Sequence, residues 1–139
     1  MYENLTKYLT EFPGDKIGTW VVDKDNGTPG HPFIEPYVDY TGVVENFIKD
    51  VYDFVEEHKE MGLKNYFDIL EANGIEGRMD SSTIEKLDAK CTLALILRAI
   101  RADRFCDGAL LGAFESGSMM RWLERLKALD ANIGDRHAT

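Results

Sequence analysis

The chain has 139 residues, 44% hydrophobic and 29% charged, which is the balance of a globular protein with one core and argues against a disordered or fibrous chain. Its net charge of −9 argues against non-specific binding to nucleic acid or anionic membrane, and its two cysteines, Cys91 and Cys106, argue against a disulfide framework. The charge is uneven: residues 1–80 hold 17 acidic and 7 basic side chains, residues 81–139 hold 8 and 9, so any basic patch belongs to the carboxy-terminal half.

The opening Met1-Tyr2-Glu3-Asn4 lacks the basic region and apolar core of a signal peptide, and no apolar run approaches the ~20 residues that span a bilayer. A cytoplasmic protein without membrane association is expected. Leu5, Tyr8, Leu9 and Phe12 then follow helical spacing, and Pro13-Gly14 stops that short docking helix. The β-branched and aromatic run Ile17 to Val22 predicts a strand, and Asp25 to Gly30 is turn chemistry. A return strand is expected within Phe33 to Tyr40, short or at an edge because Pro32 and Pro36 cannot donate ladder hydrogen bonds.

From Thr41 the period becomes helical, with Val44, Phe47, Ile48, Val51, Tyr52, Phe54 and Val55 on one face. The opposite face carries an acidic stripe that includes Asp53, Glu56 and Glu57. A shorter helix is expected over Leu63, Tyr66, Phe67, Ile69 and Leu70, ended by Asn73-Gly74. After an exposed loop over Glu76 to Ser81, Ser82-Thr83-Ile84-Glu85 has the form of a capping box, which predicts a helix from there through Leu87 and Cys91 to Ile100. Being apolar nearly all round, that helix is the expected centre of the fold. Another should begin at Cys106 or Asp107, pass through Leu110, Leu111 and Phe114 and end at Ser116-Gly117. Ser118 should cap the last, whose Met119, Met120 and Trp122 are either core or a homodimer face.

These elements predict an α+β, mostly α fold: five or six helices packed on a small antiparallel sheet of two or three strands near the amino terminus. Residues 1–130 form a single domain in this reading, and 131–139 a frayed tail.

The densest chemistry is Arg101-Ala102-Asp103-Arg104-Phe105-Cys106-Asp107-Gly108, directly after the central helix. Charges beside buried surface must be paired, so the run is either a helix corner or a site. As a corner, Arg101 and Arg104 complement the helix dipole, Asp107 caps the following helix, and pairs Arg104–Asp107 or Asp103–Arg125 fix the crossing. As a site, Arg101, Arg104, Arg121 and Arg125 form one basic surface for an anionic ligand or acidic partner. The structural alternative is preferred, because ion-pair networks perturb pKa values as readily as active sites do.

The pattern Arg101-x-Asp103-Arg104-Phe105-x-Asp107-Gly108-x-Leu110, followed by Gly117 and Leu123-x-Arg125-Leu126, resembles the carboxy-terminal signature of a small bacterial family catalogued only as a domain of unknown function. Gly18-Thr19-Trp20 after a short helix is similar to the family's opening. Glutamate is more usual there at the position of Asp107, and histidine is frequent at that of Ala109. The resemblance implies a fold and no activity.

Other constellations are weaker. Asp23 to Gly27 departs from a calcium loop in its glycine position and lacks the later glutamate. His31, His58 and His137 lack zinc-site spacing, and no phosphate loop, nucleophile elbow or dinucleotide fingerprint occurs. No cofactor or metal is expected. Two classes of function follow. The preferred one is a non-catalytic protein-interaction or regulatory module, using the acidic face or the basic one. The alternative is a small-ligand protein or enzyme whose pocket lies by Trp20, Asp103, Arg104 and Asp107. A variant of the first is an acidic decoy that occupies a partner's nucleic-acid site.

Overall fold

Two short helices, α1 (Glu3–Thr6) and α2 (Tyr8–Glu11), and a 3-10 turn over Phe12–Gly14 open the computed structural model, which describes residues 1–25, 27–30, 33, 35–75 and 84–138, with side chains to residue 131 in the last helix. Tyr2, Leu5, Tyr8 and Phe12 are buried, as the helical stripe predicts. Tyr8 and Phe12 stack at 5.2 Å between ring centroids, and Phe12 meets Phe114 edge-on at 4.8 Å. Such offset and edge-on geometries suit the ring quadrupoles. Asp130 holds this opening segment to the last helix, accepting from the Tyr2 amide at 2.8 Å and pairing with the terminal ammonium at 3.1 Å.

Strand β1 (Gly18–Val21) pairs antiparallel with β2 (Tyr37–Tyr40), Gly18 opposite Tyr40 and Trp20 opposite Val38. The return strand begins directly after Pro36, the limit set by the missing amide hydrogen. Alternation of side chains puts Gly18, Trp20, Val38 and Tyr40 on one face. Gly18 keeps the strands close there, since a Cβ on it would lie 2.8 Å from Val38 Cγ1.

Helix α3 (Gly42–Glu57) follows at once, with Val44, Phe47, Val51, Phe54 and Val55 buried. Thr41 anchors its start to the sheet region, donating through Oγ1 to the Lys16 carbonyl at 2.6 Å. Two 3-10 turns lead to α4 (Tyr66–Ala72), and Gly62 and Gly74 supply the positive-φ positions around it. Ile69 and Leu70 are buried, but Phe67 is 65% exposed; Tyr66 takes the inner position and packs its ring against Phe67.

The central helix is α5 (Ala89–Ala102), with every residue from Cys91 to Leu97 and Ile100 buried. It packs against α4 and against the last two helices, α6 (Ala109–Glu115) and α7 (Ser118–Ala138). Its start corrects the sequence reading. Asp88, in extended conformation, is the N-cap; its carboxylate accepts from the Cys91 amide at 2.7 Å, and the helix begins seven residues after Ser82. The expected helix is interrupted because Leu87 donates back to Ile84 in a turn. The loop from Glu76 and the Ser82-Thr83 pair lie outside the described residues. At α7, Ser118 is itself helical, and the Ser116 hydroxyl accepts from the Ser118 amide at 3.3 Å, so the capping oxygen comes two residues earlier than expected. Met119, Trp122, Leu123 and Leu126 are core, while Met120 is half-buried. The expected class stands: α+β, mostly α, with two antiparallel strands near the amino terminus.

Candidate functional site at the Asp103 turn

After Ala102 the backbone closes into tight turns, with the Arg104 amide on the Arg101 carbonyl and the Cys106 amide on that of Ala102. This folding-back brings the Asp103 carboxylate under the start of α6. Its Oδ1 accepts from the amides of Gly108 and Leu110, each at 3.1 Å, and from the Tyr40 hydroxyl at 2.7 Å. Tyr40 Oη in turn accepts from the Leu111 amide at 3.0 Å. Two orphan amides of α6 are thereby satisfied by an aspartate outside the helix and a third by a phenol from the sheet. Burial and, next, the bond to Asp103 raise the Tyr40 pKa well above its ordinary 10.0.

The same turn requires glycine. Gly108 has φ +90, and a Cβ on it would lie 2.7 Å from Cη2 of Trp20. The indole therefore lies directly on the backbone of the turn. Gly-x-Trp in the first strand and Asp-x4-Gly after the central helix are two halves of one joint between sheet and helices.

Several expected roles change. The N-cap of α6 is Gly108, and Asp107 is exposed, because the reach of Asp103 fills the capping position first. The expected pairs Arg104–Asp107 and Asp103–Arg125 do not form among the described residues. Asp103 is engaged by neutral donors, and Arg125 donates through Nε to the Leu87 carbonyl at 2.7 Å, which fixes α7 to the turn before α5. The four arginines take different neighbours. Arg101 faces Tyr52 and Tyr66, Arg104 is exposed on the turn, and Arg121 and Arg125 line a cleft with Ile84 and Glu85. The acidic face is partly neutralised: Glu56 pairs with Lys64 at 2.9 Å and Lys59 at 3.8 Å, and the bond to Lys64 holds its pKa below the usual glutamate value. Asp53 and Glu57 remain exposed.

Two clefts contain residues the sequence reading did not assign to a site. One, of about 320 Å³, lies among α3, α4 and α5 and includes Tyr52, Tyr66, Lys64 and Arg101. Another, of about 560 Å³, places Arg98 and Arg121 with Ser116, Ser118 and Trp122. Arg98 could have been noticed as the one charge inside the apolar run Cys91 to Ile100; Tyr52 and Tyr66 carried no signal, since their spacing reads as core. Neither cleft is lined by Trp20, Asp103, Arg104 or Asp107. Among the described residues no three His, Cys, Asp or Glu side chains are grouped to hold a metal ion. No helix among them is long and apolar enough to cross a membrane.

The hairpin, the central helix and the Asp103 turn all fall within the span, residues 2–132, that matches the model of a family of unknown function, DUF6508. The chain belongs to DUF6508. No curated protein and no solved structure matches it. The joint of Trp20, Tyr40, Asp103 and Gly108 thus gives a physical account of four positions in this DUF6508 chain without invoking chemistry at any of them.

Proposed function

We propose that this DUF6508 protein is a non-catalytic interaction module that docks a protein partner through the aromatic surface beside the Asp103 turn. The observation that carries this reading is Phe105, which is 90% exposed although it sits in a rigidly bonded turn. Trp20, 47% exposed, lies on Gly108 of the same turn, while Tyr37 and Val21 are on the other face of the hairpin. Exposed aromatic side chains are the residue type enriched at the centre of protein interfaces. Arg104 and Asp107 flank Phe105 with one charge of each sign, the arrangement of an apolar centre with a polar rim. The matching partner offers an apolar socket bordered by both charges. A cytoplasmic setting is supported by two free thiols, Cys91 and Cys106, the latter exposed. Neutralisation of Glu56 by lysines leaves less support for the acidic decoy, and the position of the clefts leaves less for a pocket at Trp20 and Asp107.

A photo-crosslinking residue placed at Phe105 in the native host tests the reading. One discrete adduct is expected at 105 and none at Lys127, an exposed control on α7. Phe105→Ser should keep the circular dichroism and melting temperature of the parent while the partner is lost from affinity capture. Absence of a discrete adduct, or capture that ignores the substitution, would overturn the proposal.

A further inference from the structure

The cleft among α3, α4 and α5 has a composition that folding alone does not account for. Its apolar walls include Val55, Leu63 and Leu97, and its polar groups are the phenols of Tyr52 and Tyr66 and the guanidinium of Arg101. Arg101 leaves the last turn of the central helix and meets no carboxylate among the described residues. Tyr52 and Tyr66 line the same cleft. Its Nε is buried and has no acceptor. A buried donor left without an acceptor is unfavourable, and structures tolerate one where a ligand or water completes it.

What the cleft would hold follows from its donors. Each of the two tyrosine hydroxyls can donate a hydrogen bond to a further acceptor. The two terminal Nη groups of the guanidinium form a fork that matches the two oxygens of a carboxylate. Charge sets the stoichiometry: Lys64 is balanced by Glu56 at 2.9 Å, so Arg101 contributes the single uncompensated charge of the cleft. Size sets the body, for about 320 Å³ with aliphatic walls holds a small apolar group. We infer that the α3–α4–α5 cleft binds a small monocarboxylate with an apolar body, its carboxylate held by the terminal nitrogens of Arg101 and capped by the hydroxyls of Tyr52 and Tyr66.

Benzoate is the probe, with benzamide as its uncharged isostere and inorganic phosphate as a compact anion without an apolar body. Titration of the full chain by calorimetry and by amide chemical shifts should show saturable one-to-one binding of benzoate, with shifts centred on Val55, Leu63 and Leu97. Benzamide and phosphate should each bind at least about tenfold more weakly. Arg101→Lys keeps the charge and removes the fork, and should weaken benzoate about tenfold or more with the melting temperature unchanged. Should that variant fold poorly, Tyr66→Phe supplies the second reading: several-fold weaker benzoate binding in a folded chain. No saturable benzoate binding up to about 10 mM, equal affinity for benzamide, or shifts centred elsewhere would overturn the inference.

Discussion

Asp103 is an aspartate whose work is done by one oxygen. Three donors converge on its Oδ1, two of them amides that α6 cannot satisfy for itself. Asp103→Ala leaves those donors half-buried and unpaired, a loss of about 3 kcal/mol on the usual scale for such groups. Urea unfolding should therefore show a clearly lower midpoint, and an unchanged midpoint would refute the capping role. Gly108→Ala probes the other half of the joint. It places a methyl group against Trp20 and forces an unfavourable φ on an alanine. A loss of about 2 kcal/mol is expected, with a shift in tryptophan emission as the indole moves. Phe105, three residues away, predicts the reverse, since its removal should leave stability within about 0.5 kcal/mol of the parent. Cys91, buried in the central helix, has its pKa pushed up to about 11 by burial and then by Asp88, and is a packing thiol rather than a reactive one.

Helix identity was legible wherever a long apolar stripe existed, and helix starts were not. Val44 to Val55 and Cys91 to Ile100 are buried as their spacing requires, because burying a stripe is a property of the segment itself. A start depends on which nearby oxygen reaches the first amides, and three starts were displaced. Asp88 caps α5 where a Ser82 box was expected, Asp103 serves α6 in place of Asp107, and Ser116 serves α7 in place of Ser118. In each case the sequence offered more than one capping side chain within a few residues. Asp88→Ala isolates the effect at α5 and should cost about 1 kcal/mol by thermal unfolding, with the helix content retained. A variant as stable as the parent would show that the Cys91 amide finds another acceptor.

Over the whole molecule, two tyrosines tie separate segments together through aspartates and set its response to alkali. Tyr8 donates to Asp50 at 2.5 Å and links α2 to α3, while Tyr40 donates to Asp103 and links the sheet to α6. Burial first, then the aspartate bond, raises both phenols above 10.0 in the folded chain. A raised folded pKa means that the protonated phenol is favoured by folding, so its contribution is complete below the unfolded value of 10.0 and is lost as pH climbs through the folded one. Stability should therefore hold up to about pH 10 and fall steeply above it. Tyr40→Phe should flatten that alkaline fall while lowering stability at neutral pH; an identical alkaline profile would remove Tyr40 from the account. At the acid end, burial opposes the ionisation of Asp50 but Tyr8 and Lys7 outweigh it, and the lowered pKa makes its contribution fade as pH drops below 3.8.

By itself the sequence determined the class of the fold, the central position of residues 91–100 and the brevity of the second strand. Those follow from periodicity and from proline's missing hydrogen, which act within a segment. The run Arg101 to Gly108 also stands out in the sequence, through its density of charge beside buried surface. Which charge meets which group was decided only in three dimensions. Asp103 meets a tyrosine 63 residues away, Arg125 meets a carbonyl 38 residues away, and Arg101 shares a cleft with two tyrosines that periodicity assigns to the core. Partner choice across such separations depends on how helices cross and how turns fold back, and one chain's spacing carries no record of either.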